Sequence, residues 1–215
     1  LLVHGAVLQS TQSLIQENAR LRALLQAQQR NAGRDILAEV LYLGRDPFSQ
    51  KVYVNKGGND EVKPGQAVID DAGVVGQVTR VYPALAEVTL LTEKDHTIPV
   101  KLERNGLRTL LVGAGTGRAP ELRFMAANAD ILSGDVLVTS GLDGTYPPGL
   151  AVAVVAAVER DSGQMFARIT CRPLAGVDRS DQVLIVPAPS AGMPPRPEEP
   201  GDETAKRVPK SRRGR

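Results

Sequence analysis

Between Asp35 and Val186 the apolar residues fall into short, β-branched runs, and almost every run is closed by glycine or proline. This punctuation is the feature that most restricts the fold, because it breaks any helical period before two turns are complete. The clearest instance is Gly134-Asp135-Val136-Leu137-Val138-Thr139, which reads as a buried strand. Ser140 to Gly144 follows as a glycine-rich turn. The corner Tyr146-Pro147-Pro148-Gly149 then feeds a second apolar run, Leu150 to Val158. A similar phrase begins about 70 residues earlier: Pro64-Gly65-Gln66-Ala67-Val68-Ile69, a turn at Asp70 to Gly73, and a return run Val74 to Val81. Two similar small β-domains are therefore expected.

Read through, the punctuation predicts twelve strands. They are Ile36 to Tyr42, Lys51 to Asn55, Ala67 to Asp70, Val74 to Tyr82, Glu87 to Leu91, Ile98 to Leu102, Leu107 to Val112, Glu121 to Met125, Val136 to Thr139, Leu150 to Val158, Phe166 to Cys171 and Gln182 to Val186. Two small barrels or a pair of sandwiches accommodate that number, with residues 34–95 in the first domain and 96–165 in the second. Aromatic residues make up only 3% of the chain and tryptophan is absent, so both cores must be built from Val, Leu, Ile and Ala. Cys171 stands alone, which rules out an internal disulfide, and in Ile169-Thr170-Cys171 it reads as a small core residue.

The two ends differ from this body. Residues 5–30 read as a helix with a 4,3 seam, Val7, Thr11, Leu14, Asn18, Leu21, Leu25 and Gln28, and Gly33 supplies a stop. Such a helix buries its stripe either on its own β-domains or against a second chain in a parallel coiled coil, where Asn18 would set register. Residues 1–33 are accordingly expected to form a coiled-coil stalk and to drive dimerisation. From Pro187 to Arg215 the chain holds seven of its fifteen prolines and few apolar residues, so 187–215 is expected to be a disordered basic tail. That tail, from Ala188, has seven Lys/Arg against four Asp/Glu, or +3; with +2 for the whole chain, the body carries −1. A nearly neutral body lacks the basic face that nucleic-acid binding needs. The longest apolar run, Leu150 to Val158, is nine residues, against the roughly 20 of a membrane-spanning helix.

The phrases Gly73-Val74-Val75-Gly76-Gln77-Val78, Leu90-Leu91-Thr92, Ile98-Pro99-Val100, Arg104-Asn105-Gly106 and Thr139-Ser140-Gly141-Leu142, closed by Tyr146-Pro147-Pro148-Gly149, resemble the MreC family of bacterial rod shape-determining proteins. The resemblance runs in order from about Asn18 to Val186. Ala153 departs from it where the family often has a second glycine after the corner. What the resemblance implies is a mainly β fold: a coiled-coil helix followed by two six-stranded barrels, the first completed by strands from 166–186. It further implies a non-enzymatic scaffold of the cell-wall elongation machinery in the periplasm, joined to the inner membrane by an N-terminal anchor upstream of Leu1. The implied partners are MreD, the glycosyltransferase RodA, the elongation-specific class B penicillin-binding transpeptidase, and further copies of the chain. The turn holding Leu142 and Tyr146 is the expected transpeptidase-binding surface, since an exposed tyrosine is an effective anchor. The competing reading of Tyr146 is a plug folded over the barrel end.

Two other function classes meet the same outline. A membrane-fusion-type periplasmic adaptor also joins a coiled coil to barrels, but usually through a helical hairpin between barrel halves. A chymotrypsin-like hydrolase would order His96, Asp130 or Asp135, and Ser140 as its triad, yet the nucleophile context around Ser140 is missing and His96 sits in a charged turn, Glu93-Lys94-Asp95-His96. Gly113-Ala114-Gly115-Thr116-Gly117 mimics a dinucleotide loop, but Arg118 and Pro120 follow where a small residue and a helix are required. Neither a Cys/His zinc pattern nor a Walker loop is present, so no cofactor or metal is expected.

Overall fold

The computed structural model describes residues 15–19, 21–22, 35–44, 46, 49–160, 165–176 and 181–188. Twelve strands form two closed six-stranded barrels. In the first the order is β1 (Ile36–Leu43), β12 (Gln182–Val186), β3 (Ala67–Ile69), β4 (Val74–Val81), β5 (Ala86–Leu90) and β2 (Lys51–Val54). The second runs β10 (Ala151–Glu159), β11 (Arg168–Pro173), β8 (Glu121–Arg123), β7 (Arg108–Val112), β6 (Thr97–Leu102) and β9 (Val136–Thr139). Every pairing is antiparallel. The expected return of 166–186 to the first barrel is corrected in part: β12 returns, whereas β11 stays with β10 and β8. Ile169 and Cys171 face the second core, which holds β11 in place.

Strand alternation decides what fills each barrel. Ala38, Val52, Val54, Val68, Val75, Val78, Ala86, Val88, Val183 and Ile185 point into the first, a set of small branched side chains suited to a narrow interior. The runs Ala67-Val68-Ile69 and Val183-Leu184-Ile185-Val186 are apolar at every position, and the structure shows why. Val68, Val183 and Ile185 face inward, while Ala67, Ile69, Leu184 and Val186 face outward into a core that continues into the second barrel. A continuous apolar run is the signature of a strand buried on both faces.

The two barrels are tied where the chain crosses between them. The Gly176 N–H donates to Asp70 Oδ2 at 3.1 Å, and Asp70 Oδ1 accepts from Ala72 N–H and Gly73 N–H. The Gly115 N–H donates to Thr92 C=O at 2.9 Å. Gly113 lies so close to the connecting segment that a Cβ there would sit 2.0 Å from the Glu93 carbonyl oxygen. That approach accounts for a glycine in the loop that resembles a nucleotide-binding one. The loop leads into β8, not into a helix.

Residues 15–19 and 21–22 are helical, with Asn18 exposed and Leu21 half-buried. Val7, Leu14 and Leu25 lie outside the described residues, as does the tail from 189 onward.

Candidate functional site

The turn expected to bind a partner does not present its tyrosine. Tyr146 is 1% exposed and packs in the second core with Ile98, Leu137 and Val152. Its hydroxyl lies 3.2 Å from His96 Nε2. Asp143 Oδ1 accepts from Thr145 N–H and Tyr146 N–H, an Asx turn that directs the ring inward. Gly141, at φ +75°, packs against Pro148 and closes the corner. Tyr146 is therefore a plug and not an exposed anchor. Leu142 alone of the pair remains exposed, at 52%.

The residues of the hydrolase look-alike are committed elsewhere. His96 Nε2 meets Tyr146, and burial, opposed by the Glu93 charge, holds its imidazole below the ordinary range. Ser140 Oγ accepts from Leu142 N–H at 3.4 Å. Arg104 forks between both aspartates, with Nε 2.8 Å from Asp135 Oδ1 and Nη1 2.9 Å from Asp130 Oδ2. This pairing and the Asn105 hydrogen bond keep Asp130 well below the usual carboxylate range.

One exposed aromatic surface lies on the first barrel; on the second, Phe124 and Phe166 are exposed at 76% and 51%. Three of the four tyrosines converge on one groove: Tyr42 from β1, Tyr53 from β2 and Tyr82 from the turn between β4 and β5. Lys51-Val52-Tyr53-Val54 alternates, so with Val52 and Val54 inside, Lys51 and Tyr53 point out. Tyr42 pairs directly with Tyr53 across the strands, their ring centroids 5.0 Å apart. Tyr42 is 50% exposed, Leu43 67% and Tyr82 41%. With Leu85 they line a groove of ≈ 1000 Å³.

Glu87 sits beneath these rings with its side chain 4% exposed. It is fully partnered: Lys51 Nζ and the Thr79 hydroxyl donate to Oε1 at 3.1 Å each, and the Tyr53 hydroxyl donates to Oε2 at 3.2 Å. Burial works to raise the Glu87 pKa, but the Lys51, Thr79 and Tyr53 donors outweigh it, so the carboxyl titrates below its ordinary value. Accepting the Tyr53 proton in a hydrogen bond in turn pushes that phenol up. A buried, neutralised charge ringed by tyrosines and leucines is cheap to desolvate, and tyrosine enrichment with charge depletion marks the core of protein interfaces. Reading the tyrosines one at a time missed this face. The available signal was the alternation around Tyr53; the convergence required the strand register.

Two closed barrels joined by a core that continues from the outer face of the first into the second, with an aromatic face on the first, define a double-barrel module that presents a surface. The chain matches the family described as Rod shape-determining protein MreC, barrel core, over residues 40–187, and it belongs to that family. It is 40% identical over 171 residues to the cell shape-determining protein MreC of Escherichia coli K12, covering 80% of this chain and 47% of that protein. The chain thus spans about half the length of that relative. A solved MreC structure superposes with a TM-score of 0.75 at 44% identity, covering 81% of this chain and 99% of the other. A more distant fold neighbour, at 19% identity and a TM-score of 0.57 over 71% of this chain and 97% of the other, is from a complex between penicillin-binding protein PBP2 and MreC from Helicobacter pylori.

Proposed function

We propose that the chain is a non-enzymatic periplasmic scaffold of the cell-wall elongation machinery and that it docks the elongation transpeptidase on the face formed by Tyr42, Leu43, Tyr53 and Tyr82. The single observation that carries the docking surface is that three tyrosines converge on one exposed sheet face above an internally neutralised Glu87. The partner class is supported by the Helicobacter pylori complex of a fold neighbour with a penicillin-binding protein. In this reading an N-terminal segment holds the module at the inner membrane. MreD and RodA are its membrane neighbours, and self-association runs through the Val7, Leu14, Asn18, Leu21 and Leu25 seam. The scaffold works by holding the non-catalytic part of the transpeptidase in one arrangement, so no bond is made or broken by this chain.

The test is titration with purified transpeptidase ectodomain. Tyr42→Ala and Tyr82→Ala remove exposed rings and leave the barrel interior intact. Each is expected to weaken binding by about 1–2 kcal/mol and to leave the melting temperature where it was. Unchanged affinity in both stable variants would remove this face from the interface.

A further inference from the structure

The charges at the floor of the tyrosine groove are spent on each other. Lys51 Nζ and the Tyr53 hydroxyl both donate to Glu87. What remains for a ligand is ring surface: Tyr42 and Tyr53, tilted 31° to one another, with Tyr82 and Leu85 in the same groove. Such a surface suits a ligand that brings its own rigid apolar ridge. Aromatic-lined grooves take polyproline II segments for this reason, because the helix is preformed and little entropy is lost on docking.

The chain carries a segment of that kind. Met193-Pro194-Pro195-Arg196-Pro197-Glu198-Glu199-Pro200 holds two Pro-x-x-Pro phrases in phase, Pro194 to Pro197 and Pro197 to Pro200. Polyproline II repeats every three residues, so this spacing would set Pro194, Pro197 and Pro200 along one edge. Arg196 falls on a neighbouring edge, and arginine stacks well on tyrosine faces. The segment lies outside the described residues, which end at Ala188.

Position favours this segment as the occupant. β12, which leads into it, belongs to the first barrel, as do the tyrosines. β12 and β4 flank β3 and run in the same direction, so the chain leaves β12 at the barrel end where β4 gives way to Tyr82. On the other side, Ile185 pairs with Ile36, and Tyr42 lies about 20 Å further along β1 at ~3.3 Å per residue. Counted from Ala188 at ~3.1 Å per residue, Pro194 reaches about 19 Å and Pro197 about 28 Å. A tether this short holds the segment at an effective concentration on the order of millimolar.

We infer that the tyrosine groove binds the chain's own Pro194–Pro200 segment and that this contact competes with the transpeptidase. The competition rests on the docking reading above; the contact within the chain does not. The segment covers the exposed rings until the transpeptidase displaces it.

A nitroxide attached to Gly201→Cys in the full chain reads the contact directly, since Cys171 is 0% exposed and stays unlabelled. The label is expected to broaden the ring signals of Tyr42 and Tyr82 and to spare Tyr146 in the second barrel. Pro194→Ala, Pro195→Ala and Pro197→Ala combined are expected to remove the broadening. They should also tighten binding of purified transpeptidase ectodomain about fivefold, because the covered fraction of grooves lowers the apparent affinity. Undisturbed Tyr42 and Tyr82 signals would overturn the inference and leave the docking face to its own test. Broadening between a nitroxide-bearing chain and a separate isotope-labelled chain would assign the groove to a second copy's tail and overturn the contact within the chain. If the contact is present but the proline variant binds the transpeptidase no more tightly, competition is wrong. Tyr42→Ala and Tyr82→Ala then decide whether the docking reading falls with it.

Discussion

Tyr146→Ala separates a plug from an anchor. The ring is 1% exposed within the core that holds Ile98, Leu137 and Val152, so truncation leaves a cavity at the end of the second barrel. Phe or Trp to Ala changes in comparable cores cost about 3–5 kcal/mol. At a urea dependence of about 2 kcal/mol/M, that moves the unfolding midpoint down by about 1.5–2.5 M. Tyr146→Phe keeps the ring and deletes only the hydroxyl contact with His96, which should cost about 0.5–1.5 kcal/mol. His96 adds a pH signature. Burial depresses its folded-state pKa, so between the unfolded value near ~6.5 and that lower value the unfolded chain holds more protons. Stability is therefore expected to fall as pH drops below about 6.5, and His96→Gln should flatten the slope. Urea titrations followed by circular dichroism at several pH values measure all three variants. A Tyr146→Ala protein with unchanged stability and lost transpeptidase affinity would refute the plug.

Three further outcomes are expected. Asp70→Ala strips the acceptor from three backbone N–H groups, including the Gly176 tie, and should cost about 1–3 kcal/mol in denaturant titration. Burial raises the Asp70 pKa against those hydrogen bonds; its contribution is therefore fully present at low pH and lost as pH rises from about 4 through the raised folded value, a trend Asp70→Asn should abolish. Gly113→Ala forces a methyl against the Glu93 carbonyl and should destabilise by about 1–3 kcal/mol, read as a lower melting temperature. Replacing Leu14 and Leu21 together with Asp puts charge on the expected seam and, if that seam carries self-association, should yield monomers by sedimentation; a persistent dimer would move self-association to the barrels.

The strands were legible because their limits are written in residues with local consequences. Gly134 and the Pro148-Gly149 corner end runs by backbone geometry alone, so β9 and β10 lie within a residue of their expected bounds. Barrel closure was not local. Nothing within Arg168–Pro173 distinguishes pairing with β10 from a return to the first barrel; that choice is made by which core Ile169 and Cys171 reach. For a related reason the choice between plug and anchor for Tyr146 stayed open in the sequence. A tyrosine in a Gly/Pro corner looks exposed until Asp143 caps the turn and the hydroxyl meets His96, fifty residues away.

The tyrosine face was hidden by a single extra residue. In β1, Ala38 and Val40 point toward the first core, and strict alternation from them would send Tyr42 into the barrel as well. That interior is filled by valine, alanine and Ile185, and a phenol ring there would overpack it. The β1 bulge resolves the conflict: two residues of β1 span one step of β2, side-chain parity reverses, and Tyr42 emerges opposite Tyr53. One irregularity therefore places the ring that completes the aromatic face. A bulge that served only to relieve core packing would need no aromatic partner outside the barrel. The alignment of Tyr42 with Tyr53 and Tyr82 gives the bulge a role beyond packing.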